Sequence, residues 1–444
     1  MNAEPGGVVI VGAGLAGLAC ARTLMQDGES RPIHVIEAGD GVGGRARTRW
    51  IDGLPIDHGF QVGFRGYGAL WDLARGASIP AGDLRTFGVG AAVHDGSEWR
   101  RFGLVPPRFA GLAAGDVRRL AALMADVRRG SPERMLAEPI DDMTTEEYLV
   151  GVRGLSRDAV NTLVRPLFSG IFLDRSLRAD AGYFRYLLAV MSRGPAILPT
   201  DGLGQVAEWL AAVLRRDGVT ITTGSRVAEI LLDEDRSQAI GVRTVDGAIT
   251  AATTVVLAVE GAASRTLLTP LDPLTAQRIP SASASMLSAA FRMRRPLYQG
   301  RTVLLNGAPM AGDEPRVDLL CQTSNVNRPG AGDDHHVLMA TAVTTESPMR
   351  DDDLPEAVAS LVKRWSPDFP WDREATLIEV RNHPGAQFRP LPGVRRSLPG
   401  VRTAIPNLLL AGDYTCHPSL EGAVSSGVAA ATAIRAQTPT PESG

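Results

Sequence analysis

Three glycines in the spacing G-x-G-x-x-G, Gly12, Gly14 and Gly17, follow an apolar run ending at Val11 and open a stretch of small residues. That arrangement suits the pyrophosphate of a dinucleotide. The first glycine permits a tight turn, the second lets backbone N–H groups approach the phosphates, and the third lets a helix pack close to a strand. Ala13, Leu15 and Ala16 fill the turn, so the bare start of the helix faces the anion. Glu37 stands 20 residues after Gly17, at the end of the next apolar run. A carboxylate there binds ribose hydroxyls and disfavours a 2′-phosphate. Just beyond Ala38, a second glycine pair and a cation (Gly43, Gly44, Arg45) extend the cradle beyond what NAD needs, which points to FAD. Near the other end of the chain, Gly412 and Asp413 close an apolar run, with Asp413 placed to bond ribityl or phosphate-proximal groups. Glu421, Gly422 and Ala423 then open a helix whose free N–H groups suit negative charge on a reduced flavin.

These residues need particular elements to hold them. The first segment reads as strand (8–11), glycine turn, helix, strand (33–36), which is a βαβ start with a parallel pair. From 67 to 192 arginine-rich helical periodicities dominate, for example over 116–129 and 183–191. The βα pattern returns at 202–232 with an amphipathic helix and then strand, turn, strand; another apolar strand covers 254–259. Residues 281–344 are strand-like with loops at 307–315 and 328–334, a helix covers 355–365, and 407–436 is again strand, turn, helix. A chain of 444 residues suggests roughly three units of about 150. The motifs at 12–45 and 412–423 must meet on one dinucleotide, which reduces the count to two interleaved domains.

Composition excludes several classes. Lys+Arg of 46 against Asp+Glu of 49 leaves a net charge of −3, so no basic footprint for nucleic acid exists. Cys20, Cys321 and Cys416 form neither a CxxC pair nor an even set, which suits free thiols in a reducing compartment. The N-terminus lacks a signal-like basic region and long apolar core, and no apolar run is long enough to span a bilayer. A cytoplasmic protein is expected, with residues 104–112 as a possible membrane-surface contact. No metal site is expected, and oligomeric state is open.

The combination of GAGLAGL, EAGDGVGGRART, GSRVAEI, VVLAV and AGDYT followed by LEGAV resembles the FAD-dependent superfamily of flavin amine oxidases, phytoene desaturases and protoporphyrinogen oxidases. In motif it is most similar to the desaturase-like branch. The resemblance implies an α/β fold with a discontinuous Rossmann-type FAD domain (1–75, 199–275, 376–436), an interleaved α+β substrate domain (76–198, helical, and 276–375), and a disordered tail at 437–444. It also implies Val227 on the adenine side and the segment IDHGFQVGF beside the isoalloxazine, with His58, Gly59, Phe60 and Gln61 as flavin contacts. His58, Gln61 and Tyr414 are candidates for proton transfer, as is His417, although each also fits a structural role. Phe168, Phe172 and Tyr183 are candidates for a substrate tunnel or for plain core.

Amine oxidases of this superfamily are similar to one another in a lysine that holds a water near the flavin and in an aromatic residue before the (M/L)EGAV helix. Lys363 is the only lysine in this chain and reads as a solvated helix charge, and Ser419 occupies the aromatic position. The expected function is removal of hydride from a C–H bond of a hydrophobic small molecule, with oxygen or a quinone as electron acceptor. The alternatives are an amine oxidase, a redox-neutral flavin isomerase or cyclase, and a non-catalytic FAD-binding protein.

Overall fold

The computed structural model describes residues 6–437 apart from 77–78, 89, 105–106, 110, 139, 141, 310–315, 329–331 and 333. The strand Gly7–Val11 is rich in β-branched residues and buried on both faces, as a central parallel strand must be. Ile33–Ile36 pairs on one side of it and Ile249–Leu257 on the other, both parallel. The long strand Ile249–Leu257 changes partner along its length. Its first residues pair antiparallel with Ala239–Thr244, and Val255 to Leu257 pair parallel with Leu408–Leu410. One sheet is thus assembled from both ends and the middle of the chain.

Over this sheet the helices Leu15–Gln26 and Leu420–Arg435 lie in contact through small residues. A Cβ on Gly427 would stand 2.2 Å from the Ala16 carbonyl oxygen, so only glycine allows this approach. The C-terminal helix is therefore locked to the helix that follows the glycine turn. The expected strand, turn, strand at 219–232 is present, and its two strands do not pair with each other. Thr220–Thr222 pairs with Ile33–Ile36 at one edge, while Val227–Leu232 lies at the opposite edge beside Ala239–Thr244. The connection passes under the end of the second strand, where Ser225 N donates to the Glu37 carbonyl at 2.8 Å and Gly224 N to the Gly39 carbonyl at 2.7 Å.

A second large sheet, eight-stranded among the described residues, runs in the order Ala375–Phe388, Ser283–Met293, His336–Val343, Leu319–Gln322, Val303–Asn306, Ala91–His94, Trp99–Leu104, Pro107–Phe109. One sequence expectation changes here. The stretch 76–198 is not helical throughout, because its strands Ala91–His94 and Trp99–Leu104 extend this sheet through a parallel pairing with Val303–Asn306. Ala375–Phe388, which follows the boundary expected at 376, pairs along Ser283–Met293 in this same sheet. Ala91–His94 is buried on both faces, so it shows no apolar/polar alternation to mark it as a strand. Helices 157–172 and Ala181–Met191 close the space between the two sheets. Among the described residues no helix is long and apolar enough to cross a membrane. Parts of 104–112 and the tail at 438–444 lie outside the described residues.

Candidate functional site

Between the two sheets lies a cavity of about 910 Å³. It begins at the glycine turn. Gly12 takes φ +110°, and a Cβ there would meet the Ala258 carbonyl oxygen at 2.6 Å, so turn and neighbouring strand require glycine. Gly14 ends the turn and has open space on its missing side chain's side, with nothing within 4 Å. It precedes the helix Leu15–Gln26, whose first turn has no side-chain cap, leaving N–H groups for an anion. Gly43 N donates to the Ala13 carbonyl at 2.8 Å, which brings the second glycine pair against the first. Gly12, Gly14, Leu15, Ala16, Gly43 and Gly44 all line the cavity, whereas Gly17 packs its backbone on Gly12.

Glu37 lines the same end, with its carboxylate accepting from Ala13 N at 2.8 Å and Gly39 N at 2.7 Å. Further along, Arg45 Nη2 lies 2.8 Å from Asp413 Oδ1, and Arg45 Nη1 donates to the Ala386 carbonyl at 3.0 Å. The Asp413 carboxylate, assisted by Glu260, holds the Arg45 guanidinium above its ordinary pKa against the cost of burial. Two motifs 368 residues apart thus form one contact. A carboxylate at the end of the second strand, bare helix N–H groups and a glycine cradle that a Cβ would fill fit the requirements of FAD.

The other expected residues divide. His58, Phe60 and Gln61 line the cavity. The Gln61 amide donates to the carbonyls of Arg45 at 2.7 Å and His58 at 2.9 Å, bracing the segment by its own backbone. Burial, then Arg381, Arg47 and Arg49, hold His58 down to about 4. Gly59 sits under Met286, whose methyl carbon would be 2.1 Å from a Cβ there. Tyr414 is placed elsewhere: it is 1 % exposed, its hydroxyl is 2.8 Å from Ser264 Oγ, and it is absent from the cavity wall. Asp413 and Tyr414 lie in a single 3-10 turn, which sends neighbouring side chains in different directions, Asp413 to the cavity and Tyr414 into the core. His417 is likewise buried, its Nδ1 2.9 Å from Ser419 Oγ and its ring 4.5 Å from that of Tyr186 and 6.1 Å from that of Tyr183.

At the C-terminal helix, Leu420 and Ala423 face the cavity and Glu421 does not. The Glu421 carboxylate accepts from Ala69 N at 2.8 Å and Leu70 N at 2.9 Å, capping the helix Gly68–Gly76. Gly422 N donates to Ser419 Oγ at 2.9 Å, so that residue is held in the helix's own cap. Val227 lies just behind its neighbour Arg226, which is the residue on the wall; Ala38 lines the wall beside Glu37.

The far end is apolar. Helix 157–172 contributes Leu163, Leu167 and Ile171, and Phe87, Val93 and Leu305 come from other elements. Phe168 and Phe172 point the opposite way into the core, 2 % and 1 % exposed. One residue along a helix is a rotation of about 100°, so the neighbours of the aromatic pair, and not the pair itself, make the wall. Tyr183 does reach the cavity, its hydroxyl donating to the Pro418 carbonyl at 2.7 Å. Of the acidic residues on the described wall, Glu37, Glu260 and Asp413, none lies among these apolar side chains. Sequence reasoning passed over Met286 and His383 on the wall and Ser288 behind it. The only local signal was Pro384-Gly385 interrupting a strand pattern after His383.

Lys363 is on the surface, 3.1 Å from Asp372 and 56 % exposed, and does not line the cavity. No group of three or more metal-ligating side chains is found among the described residues.

The sequence pattern of the family described as flavin containing amine oxidoreductase matches residues 15–435. A Mycobacterium tuberculosis protein provisionally named flavin-containing monoamine oxidase AofH is 31% identical over 222 residues, 47% of this chain and 48% of that one. The chain therefore matches about half the length of that curated relative. Among solved structures, putrescine oxidase bound to putrescine superposes with TM-score 0.71 at 18% identity, covering 98% of this chain and 100% of that one. A structure from Exiguobacterium sp. 255-15, provisionally called protoporphyrinogen oxidase, gives 0.67 at 19% identity, covering 97% and 99%. The likeness in structure establishes the fold, and the sequence match over nearly the whole chain establishes the kinship: this protein belongs to the flavin-containing amine oxidoreductase family, with FAD as its cofactor.

Proposed function

We propose that this oxidoreductase removes hydride from a C–H bond of an uncharged, hydrophobic small molecule, with oxygen or a quinone taking the electrons onward. One observation carries the reading. The dinucleotide cradle opens directly into a chamber walled by aliphatic and aromatic side chains, and the wall's carboxylates all belong to the cradle side. Bound FAD supplies the hydride acceptor, and the chain supplies what hydride transfer demands: a fixed approach and exclusion of water. Gly12, Gly14, Glu37, Gly43, Gly44, Arg45, Asp413 and the start of helix Leu420–Arg435 would hold the cofactor. His58, Phe60 and Gln61 would lie along its reactive part.

A cationic diamine or polyamine would enter this chamber without a counter-charge, and an unpaired buried charge is costly. Oxidation of an amine remains the second reading, favoured by the names of the curated relatives. Anaerobic mixing with a panel of amines, polyenes and porphyrinogens distinguishes them by flavin bleaching. Bleaching by an apolar, uncharged compound and not by putrescine or spermidine is the expected result; rapid bleaching by putrescine would overturn the proposal. Hydrogen peroxide released under air identifies oxygen as the acceptor.

A further inference from the structure

His383 belongs to none of the motifs above, yet the fold brings it to the cavity wall. The strands Ala375–Phe388 and Ser283–Met293 pair antiparallel, with a slip in register between Ala284 and Met286. Pro384, Gly385 and Ala386 form the bulge, and bulges re-aim the side chains beside them. His383 stands opposite Met286, and both line the cavity. Its Nε2 is 3.0 Å from the buried Ser288 Oγ, and a Cβ on Gly59 would be 3.5 Å from the same nitrogen. The ring is thus fixed from behind by a hydroxyl and beneath by the His58–Gln61 segment. Its other nitrogen, Nδ1, has no partner among the described residues.

We infer that His383, braced by Ser288, orients the substrate through one hydrogen bond at Nδ1 to the single polar atom of an otherwise apolar, uncharged molecule. The inference rests on the function proposed above and names the substrate class more closely. The surroundings support it. Arg381 on the same strand acts on His383, and Arg47, just before the strand Thr48–Ile51, and Arg49 within it act on His58 beside it. Burial first and Arg381 second hold His383 down to about 4, so at neutral pH the ring is uncharged. Each of these arginines is already paired with a carboxylate, Arg47 with Asp40 and both Arg49 and Arg381 with Glu379, so an ammonium ion would find no free counter-charge beside the ring and an amine would bind as its free base. A neutral imidazole held by a second group is a fixed hydrogen-bonding element and a weak base, which assigns His383 to orientation and not to proton storage.

The test uses the FAD-loaded enzyme and a matched set with one body: ethylbenzene, 2-phenylethanol and 2-phenylethylamine, each followed by perturbation of the flavin visible band. The alcohol is expected to bind about fivefold to tenfold tighter than ethylbenzene, as one neutral hydrogen bond allows. Alcohol affinity should stay flat with pH. Amine affinity should rise about tenfold per pH unit from 7 to 9, because its ammonium group, like lysine's, loses its proton near pH 10. His383→Phe should abolish the alcohol preference. Ser288→Ala should weaken it and Ser288→Thr restore it, while flavin occupancy reports that each variant is folded. A preference that survives His383→Phe, or amine binding that does not rise with pH, overturns the inference. Ethylbenzene binding without any alcohol preference overturns it too but leaves the apolar-substrate reading standing, whereas failure of all three probes overturns both. A measurement needing no ligand is ring-¹⁵N NMR of the seven histidines. His383 should not titrate between pH 5 and 8, and a midpoint above 6 would contradict the assignment.

Discussion

At the glycine turn the cavity offers backbone: N–H groups of a helix start, two glycine pairs laid against each other, and a carboxylate whose place is set by hydrogen bonds to Ala13 and Gly39. At the far end it offers side chains, from helix 157–172, from the strand Ser283–Met293, from Ala375–Phe388 and from 87–102. The first end makes its contacts through groups every residue possesses, so its specificity lies in where side chains are missing. The second makes them through what each side chain adds, so a substitution there changes the shape of the chamber without changing the turn. On the proposed function, binding of the cofactor and choice of substrate should therefore be separable by mutation.

The largest effect expected is on the second end. Phe172→Ala removes a ring from the core behind the chamber wall and should lower unfolding free energy by about 3–5 kcal/mol, while Ile171→Ala on the wall itself should cost less and change ligand affinity more. Denaturant titration of both, beside flavin-band titration with ethylbenzene, checks the pair; equal effects would mean that wall and core are not distinct. His417 tests the same region through pH. Burial holds it down to about 4, so the folded chain keeps it neutral while the unfolded chain takes up a proton near pH 6.5. Its contribution is complete above about pH 6.5 and is lost as pH falls toward 4. Wild type should lose about 3 kcal/mol more than His417→Gln over that interval.

The first end should respond to one methyl-bearing side chain. Gly14→Val has room in the protein itself, since nothing lies within 4 Å, but fills the cradle. FAD affinity should fall at least about 100-fold, roughly 2.7 kcal/mol, with the melting temperature of the cofactor-free chain unchanged. Loss of the fold instead would place Gly14 with Gly12 as a structural glycine. The smallest effect belongs to neither end. Lys363→Met removes an exposed ion pair and should change stability by less than about 0.5 kcal/mol and the rate of flavin reoxidation not at all. A slowed reoxidation would show that this distant lysine reaches the site.

The glycine turn, its flanking strands, Glu37, Arg45 and Asp413 were legible from the amino-acid sequence because their requirements are local. A strand must be apolar, a turn at φ +110° must be glycine, and a bare helix start must follow it. Even the family followed from such segments. What the sequence left undetermined has a common cause, which is direction. Tyr414 adjoins Asp413 but faces Ser264, Glu421 opens a helix but caps another one, and Phe168 and Phe172 stand one position from the residues that form the wall. His383, Met286 and Ser288 are neighbours only because two strands that lie about a hundred residues apart pair antiparallel. Element types follow from local propensity and periodicity. The face each side chain presents, and what it meets there, follows from packing between segments that only the tertiary structure brings together.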